Sequence, residues 1–141
     1  RAMKRIDFYI LPGNDAGARL TYACRLAAKA WREGHRIYLN CQNQDQAEAL
    51  DQRLWRFSAA SFVPHQLADA GSDAPLLLAW GADAGGQQSL LINLASTVPA
   101  FFERFARIAE VVDQDPQTRD ALRASYRFYR ERGYAPQHLH L

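Results

Sequence analysis

Apolar positions along this chain change their period several times, and each change marks an element. Residues 6–11 are a short apolar and aromatic run closed by Pro12-Gly13-Asn14, which predicts a strand ending in a turn. Asn14 or Asp15 then caps a helix reaching about Glu33. Its stripe of Leu20, Ala23, Cys24, Ala27, Ala28 and Trp31 follows helical spacing, and Gly34 supplies the stop. Residues 35–40 contain Ile37-Tyr38-Leu39 and predict a second buried strand. Asn43 or Gln44 opens another helix to about Trp55, burying Ala47, Leu50 and Leu54. A strand, helix, strand unit of this length predicts a parallel pair joined by a right-handed crossover.

The middle is less periodic. Residues 57–71 carry Pro64 within an apolar stretch and read as an ordered loop. Residues 76–80, Leu-Leu-Leu-Ala-Trp, predict a short buried strand, and 81–88 a small, polar, mobile surface loop. Another strand covers 90–94. Phe101, Phe102 and Phe105 fit a helical turn whereas 108–112 fits a strand, so a turn followed by a strand is expected. Asp115-Pro116 offers an N-cap with proline at the first helical position, and Gly133 ends that last helix. His138-Leu139-His140 reads as a flexible tail. The expected architecture is one three-layer α/β domain over residues 3–141, a mostly parallel sheet flanked by helices. Arg1-Ala2 before Met3 reads as an expression remnant, with Met3 as the natural start.

The last helix carries the most informative pattern. Arg119, Arg123, Tyr126, Arg127 and Arg130 recur at steps of three and four, so they share one face, with Ala121, Leu122, Ser125, Phe128 and Tyr129 round the other side. Four guanidiniums read without an intervening carboxylate repel one another and accommodate an anion, and the tyrosine offers a place for an apolar or aromatic group beside it. Such a stripe can equally be a solvated helix face.

Composition narrows the classes. The 141 residues are 48% hydrophobic and 23% charged, ordinary for a globular protein, and a net charge of +2 is too small for a protein that coats nucleic acid. Any basic function must come from local clustering, and arginine favours oriented, bidentate contacts. Cys24 and Cys41 make neither a disulfide framework nor a zinc spacing and read as buried free thiols of a reducing compartment. No signal peptide is visible and no apolar run approaches the roughly 18 residues of a membrane span. A cytoplasmic protein is expected.

Recognisable catalytic chemistry is absent. Pro12 to Gly17 sits where a phosphate loop would sit, yet lacks its Lys-Ser/Thr ending and places Asp15 beside any phosphate. Neither cysteine has a histidine at a recognisable spacing, and there is no Gly-x-Ser-x-Gly turn. His35, His65, His138 and His140 read as structural or exposed, and two tail histidines are too few for a metal. Asp45, Glu48 and Asp51 make a solvated acidic face. Asp7 within a strand needs a partner, expected to be a cation from another strand. No catalytic site, cofactor or metal is expected.

Large apolar groups also occur where a core need not use them. Trp55, Phe57, Phe62, Val63 and Pro64 follow the end of a helix, and Pro64 would hold Phe62 in an extended presentation. That suits a partner interface, or a loop that caps the sheet edge with its hydrophobes inward.

Several segments, in this order and spacing, carry a family resemblance. They are Arg5-Ile6-Asp7-Phe8-Tyr9, Ala30-Trp31-Arg32-Glu33-Gly34-His35-Arg36-Ile37, Leu54-Trp55, Ser61-Phe62-Val63-Pro64-His65, Glu110-Val111-Val112-Asp113 and Tyr126-Arg127-Phe128-Tyr129-Arg130 with Gly133. The chain resembles, over nearly its whole length, the chi subunits of bacterial DNA polymerase III holoenzyme, accessory subunits of the clamp-loader complex. The resemblance implies a nucleotide-binding-like α/β fold that binds no nucleotide, and a non-enzymatic adaptor role in DNA replication. It implies that Trp55, Phe62, Val63 and Pro64 hold the psi subunit. It also implies that Arg119, Arg123, Tyr126 and Arg127 take the acidic C-terminal tail of single-stranded-DNA-binding protein, with DNA engaged indirectly through these partners. Residues 114–118 are shorter than in better-known relatives, and several lysines are replaced by arginine. Direct binding of single-stranded nucleic acid by the arginine helix is the competing reading, and an enzyme on a nucleotide-binding-like fold is a third.

Overall fold

The computed structural model describes residues 4–56, 64–67, 74–83, 85 and 89–141. The elements run β1 (Arg5–Ile10), α1 (Ala16–Arg32), β2 (Ile37–Cys41), α2 (Gln44–Arg56), β3 (His65–Leu67), β4 (Leu76–Trp80), β5 (Leu90–Asn93), a 3-10 turn (Phe102–Arg104), β6 (Arg107–Val112), α3 (Pro116–Glu131) and β7 (Gln137–His140). Among the described residues the strands form one open sheet of order β3-β4-β2-β5-β6-β1-β7, with every pairing parallel.

Alternation along the strands splits the core into two layers. Tyr9, Ile37, Leu39, Leu76, Leu78 and Val111 face α1 and α2, which approach closely because their inner stripes are small: Ala23, Cys24, Ala27, Ala28 and Ala47. Ile6, Phe8, Ile10, Tyr38, Leu77 and Ile108 face the other way, onto Phe102, Phe105 and Tyr129 of α3. The result is the expected three-layer α/β fold. Both cysteines are buried and free, and burial pushes each thiol up to about 12, so neither is a nucleophile near neutral pH.

Three expectations need correction. β1 and β2 are parallel but not neighbours, because the largely buried strands β5 and β6 lie between them. Within the expected loop over 57–71, His65–Leu67 form edge strand β3, paired with Leu76–Leu78; residues 57–63 and 68–71 lie outside the described residues, as do 84 and 86–88 of the loop expected at 81–88. The expected flexible tail is strand β7, paired Asp7↔Gln137 through Ile10↔His140 and continued by Leu141 N–H donating to the Ile10 carbonyl at 2.9 Å. The cation expected from another strand is present, Arg107 of β6 with its Nε 4.0 Å from the buried Asp7 Oδ2, and Arg5 on Asp7's own strand lies nearer, at 2.8 Å, because residues two apart on a strand share a face.

The C-terminal ends of β1, β5 and β6, where open α/β sheets receive ligands, are crossed by side-chain hydrogen bonds. The Gln114 side chain donates to the Leu11 carbonyl at 3.0 Å, and the Arg19 guanidinium donates to the carbonyls of Val111 (2.8 Å) and Leu94 (3.0 Å). Across β2, β5 and β6 a buried polar relay runs from Asn40 Nδ2 to Asn93 Oδ1 (3.0 Å), then from Asn93 Nδ2 to both Glu110 oxygens (3.1 Å). Tyr129 O–H closes it on Glu110 Oε2 at 2.7 Å. This bond ties α3 to the sheet and fixes which helix face looks outward. Desolvation pushes the Glu110 carboxyl up to about 7, against the opposing pull of Tyr129, Asn93 and Arg19.

Candidate functional site

Helix α3 begins at Asp115, whose side chain accepts from Gln117 N–H at 3.0 Å, with Pro116 in the first turn, and ends as Gly133 takes a φ of +87°. Because Ser125 and Tyr129 are its buried positions, the arginine stripe faces outward. Leu122, Arg123, Tyr126, Arg127 and Arg130 line an open groove of about 490 Å³ together with His138 of β7. The groove has an apolar floor and a cationic rim. The His138 ring stacks on Phe8 (5.3 Å between centroids, 11° between planes) and lies 4.9 Å from the Tyr126 ring, which itself meets Phe8 edge-on at 6.2 Å. Burial and neighbouring His140 lower the His138 pKa, so that floor is uncharged near neutral pH.

Of the residues expected to take an acidic tail, Arg123, Tyr126 and Arg127 come together here. Arg119 is exposed one turn earlier on the same stripe and does not line the groove. The stripe is also not free of carboxylates: Asp120 lies 3.2 Å from Arg123, because residues three apart on a helix are neighbours. Both partners are well exposed, at 64% and 78%, so the pair is weak and easily exchanged for an incoming anion. Among the described residues Arg119, Arg127 and Arg130 make no ion pair. Sequence reasoning missed His138, and it placed Leu122 on the far side although Leu122 stands one turn before Tyr126. The alternation of His138-Leu139-His140 after Pro136 spans too few residues to declare a strand by itself.

The second expected surface lies at the opposite sheet edge. Trp55, at the end of α2, is 60% exposed and sits edge-on to the His65 ring at 5.1 Å; His65 Nε2 is 3.2 Å from Asp51 Oδ1. Pro64 is half-buried immediately before β3, so the two described members of this set lie together, while Phe62 and Val63 fall outside the described residues. Since β3 and β7 are the two edge strands of a seven-strand sheet, the surfaces are about 29 Å apart at ~4.8 Å per strand.

The family model described as "DNA polymerase III chi subunit, HolC" matches residues 3–137. The chain belongs to the DNA polymerase III chi subunit family. It is 47% identical over 135 residues to the DNA polymerase III subunit chi of Pseudomonas aeruginosa, covering 96% of this chain and 95% of that one. Its identity to the subunit chi of Haemophilus influenzae is 33% over 134 residues (93% of each chain). To that of Escherichia coli it is 32% over 139 residues (94% and 95%). Membership places the chain among accessory subunits of a polymerase that replicates DNA. No helix among the described residues is long and apolar enough to cross a membrane.

Proposed function

We propose that the chain is a non-enzymatic, single-domain cytoplasmic adaptor of the DNA polymerase III clamp loader, joining it to single-stranded-DNA-binding protein. The observation that carries this reading is the α3 groove, in which an apolar floor of Leu122, Tyr126 and His138 is rimmed by Arg123, Arg127 and Arg130. A short acidic peptide ending in phenylalanine matches it: the ring covers the floor, and the carboxylates engage guanidiniums in bidentate pairs. Arg119, one turn along the helix, meets an upstream carboxylate of the same tail. The psi subunit docks at the other edge on Trp55 and Pro64 with Phe62 and Val63. The distance between the two edges lets both partners bind at once.

A tail peptide that is disordered when free is expected to bind in the micromolar range and to weaken with salt, since its ion pairs are exposed. In a fluorescence-anisotropy titration, Arg123→Glu is expected to weaken the tail peptide at least about tenfold, or about 1.4 kcal/mol, and to leave psi binding intact. Trp55→Ala, which removes an exposed aromatic anchor, should weaken psi capture and spare the peptide. If either substitution removed both activities while the thermal melt stayed unchanged, the two-surface reading would be wrong.

A further inference from the structure

A second basic concavity lies on the other face of the sheet, between α1 and α2. One half, of about 630 Å³, is lined by Thr21, Gln52, Arg53 and Arg56. Thr21 and Arg53 also line the adjoining half, of about 520 Å³, which adds Tyr22 and Arg25. The two therefore form one continuous groove. Arg25 and Arg56 are exposed. Arg53 is half-buried and its Nη1 donates to Thr21 Oγ1 at 3.1 Å. None of the three guanidiniums makes an ion pair among the described residues. Among the described residues Asp15 is the carboxylate that lines the groove; it accepts from Gly17 N–H at 2.9 Å and, with Arg53, flanks the Gly17 backbone. Three arginines against one carboxylate leave the groove with as much net positive charge as the +2 of the whole chain, so the concentration of charge is local and cannot be read from composition.

We propose that this groove holds the phosphodiester backbone of a single nucleic-acid strand. Contrast with the α3 groove decides between the two anionic ligands such a surface could take. There, an apolar floor gives a peptide somewhere to bury a side chain. Here about half of the lining is polar: three guanidiniums, the Thr21 hydroxyl and the Gln52 amide stand among smaller apolar groups such as Ala18 and Ala49, which form no continuous apolar floor. A regular polyanion uses such donors along its length, and guanidiniums grip phosphate oxygens in bidentate fashion. Arg53 and Arg56 stand one helical turn apart, about 5–6 Å between Cβ atoms, so they can take successive phosphates while Arg25 takes a third across the groove. Among the described residues Tyr22 is the aromatic ring of the lining, and it already packs on Tyr9 at 5.7 Å. Among the described residues one already engaged ring gives bases little to stack on, so binding is independent of sequence.

The test is an anisotropy titration of the full chain with labelled oligothymidylate at low and moderate salt. Three phosphate contacts predict that log K falls against log salt with a slope of about −2. Arg25→Glu with Arg56→Glu should weaken the oligonucleotide at least about tenfold and make the slope shallower by more than one. The same variant should leave acidic-tail binding and the thermal melt unchanged, since both side chains are exposed; Arg25→Gln with Arg56→Gln serves as the gentler pair. Arg123→Glu on α3 should leave oligonucleotide affinity as it is. Absence of oligonucleotide binding at low salt overturns the proposal. So does binding lost in Arg123→Glu but kept in the α1–α2 variant, which would move the strand to α3. Equal losses in both variants would reduce it to overall charge. Loss of the acidic peptide in the α1–α2 variant would make the groove a peptide site. The adaptor reading rests on α3 and stands or falls separately.

Discussion

Replacing Phe8 by alanine is expected to cost about 3–5 kcal/mol of folding stability and to lower the melting temperature by roughly 10–15 °C. Phe8 is wholly buried on β1, and its ring meets Tyr126 and Tyr129 of α3 and stacks on His138 of β7. Truncation therefore loses the transfer energy of a large ring and opens a cavity at the point where helix, edge strand and sheet join. The same cavity removes the backing of the two rings that floor the α3 groove. Acidic-tail affinity should fall even at temperatures where the variant is fully folded. Phe8→Leu refills most of the space and should cost about 1.5 kcal/mol, as a shape change within a filled core does. Urea melts measure the first effect, and peptide titration of the folded variants measures the second. A Phe8→Ala chain that binds the tail with full affinity would show that Tyr126 and His138 hold their places without it.

The contrast between Phe8 and His138 explains what could be read from the chain. Long, regular elements were legible because their patterns are local. The 3.6-residue stripe of α1, the Asp115-Pro116 start of α3, the apolar run of β4 and the Leu90–Ile92 run that opens β5 need no knowledge of the rest of the fold. Strand β3 has three residues and β7 four, too short for a period to declare itself, and each forms because a neighbour's backbone groups await a partner. Strand order is likewise non-local. α1 leads from β1 to β2 in sequence, but nothing in those segments announces that two later buried strands will separate them. The arginine stripe could be seen on the helix alone, and its Arg123, Tyr126 and Arg127 do meet in one groove. What turns that stripe into a groove is His138, which arrives from a strand in the opposite sense of locality. The α1–α2 concavity was hidden for the same reason, since Arg25 and Arg53 lie on different helices and only packing brings them together.

Raising the pH from 5 to 8 is expected to remove about 3 kcal/mol of stability through Glu110 alone. Its carboxyl is buried within the sheet and titrates at about 7, raised from 4.5. A raised acid pKa means that the folded state binds the proton more tightly than the unfolded chain. The stabilising contribution is thus fully present below 4.5 and is lost as pH rises through about 7. Other carboxylates contribute their own pH dependence, so the effect is read as a difference from Glu110→Gln, a neutral side chain of the same shape whose amide oxygen can still accept from Tyr129. That variant should gain on the wild type by about 3 kcal/mol between pH 5 and pH 8 in paired urea melts. A difference that stays flat across the range would mean that Glu110 keeps one protonation state throughout, held there by Asn93, Tyr129 and Arg19. Tyr129→Phe provides the internal check: it deletes the O–H that stabilises the carboxylate, so the titration should move upward in pH and the wild-type profile should not be recovered. The bond tested this way is also the one that anchors α3 to the sheet. The same pair of variants therefore separates the charge on Glu110 from its role in aiming the arginine stripe, since Glu110→Gln should keep acidic-tail affinity at pH 7 while Tyr129→Phe loosens the helix that carries it.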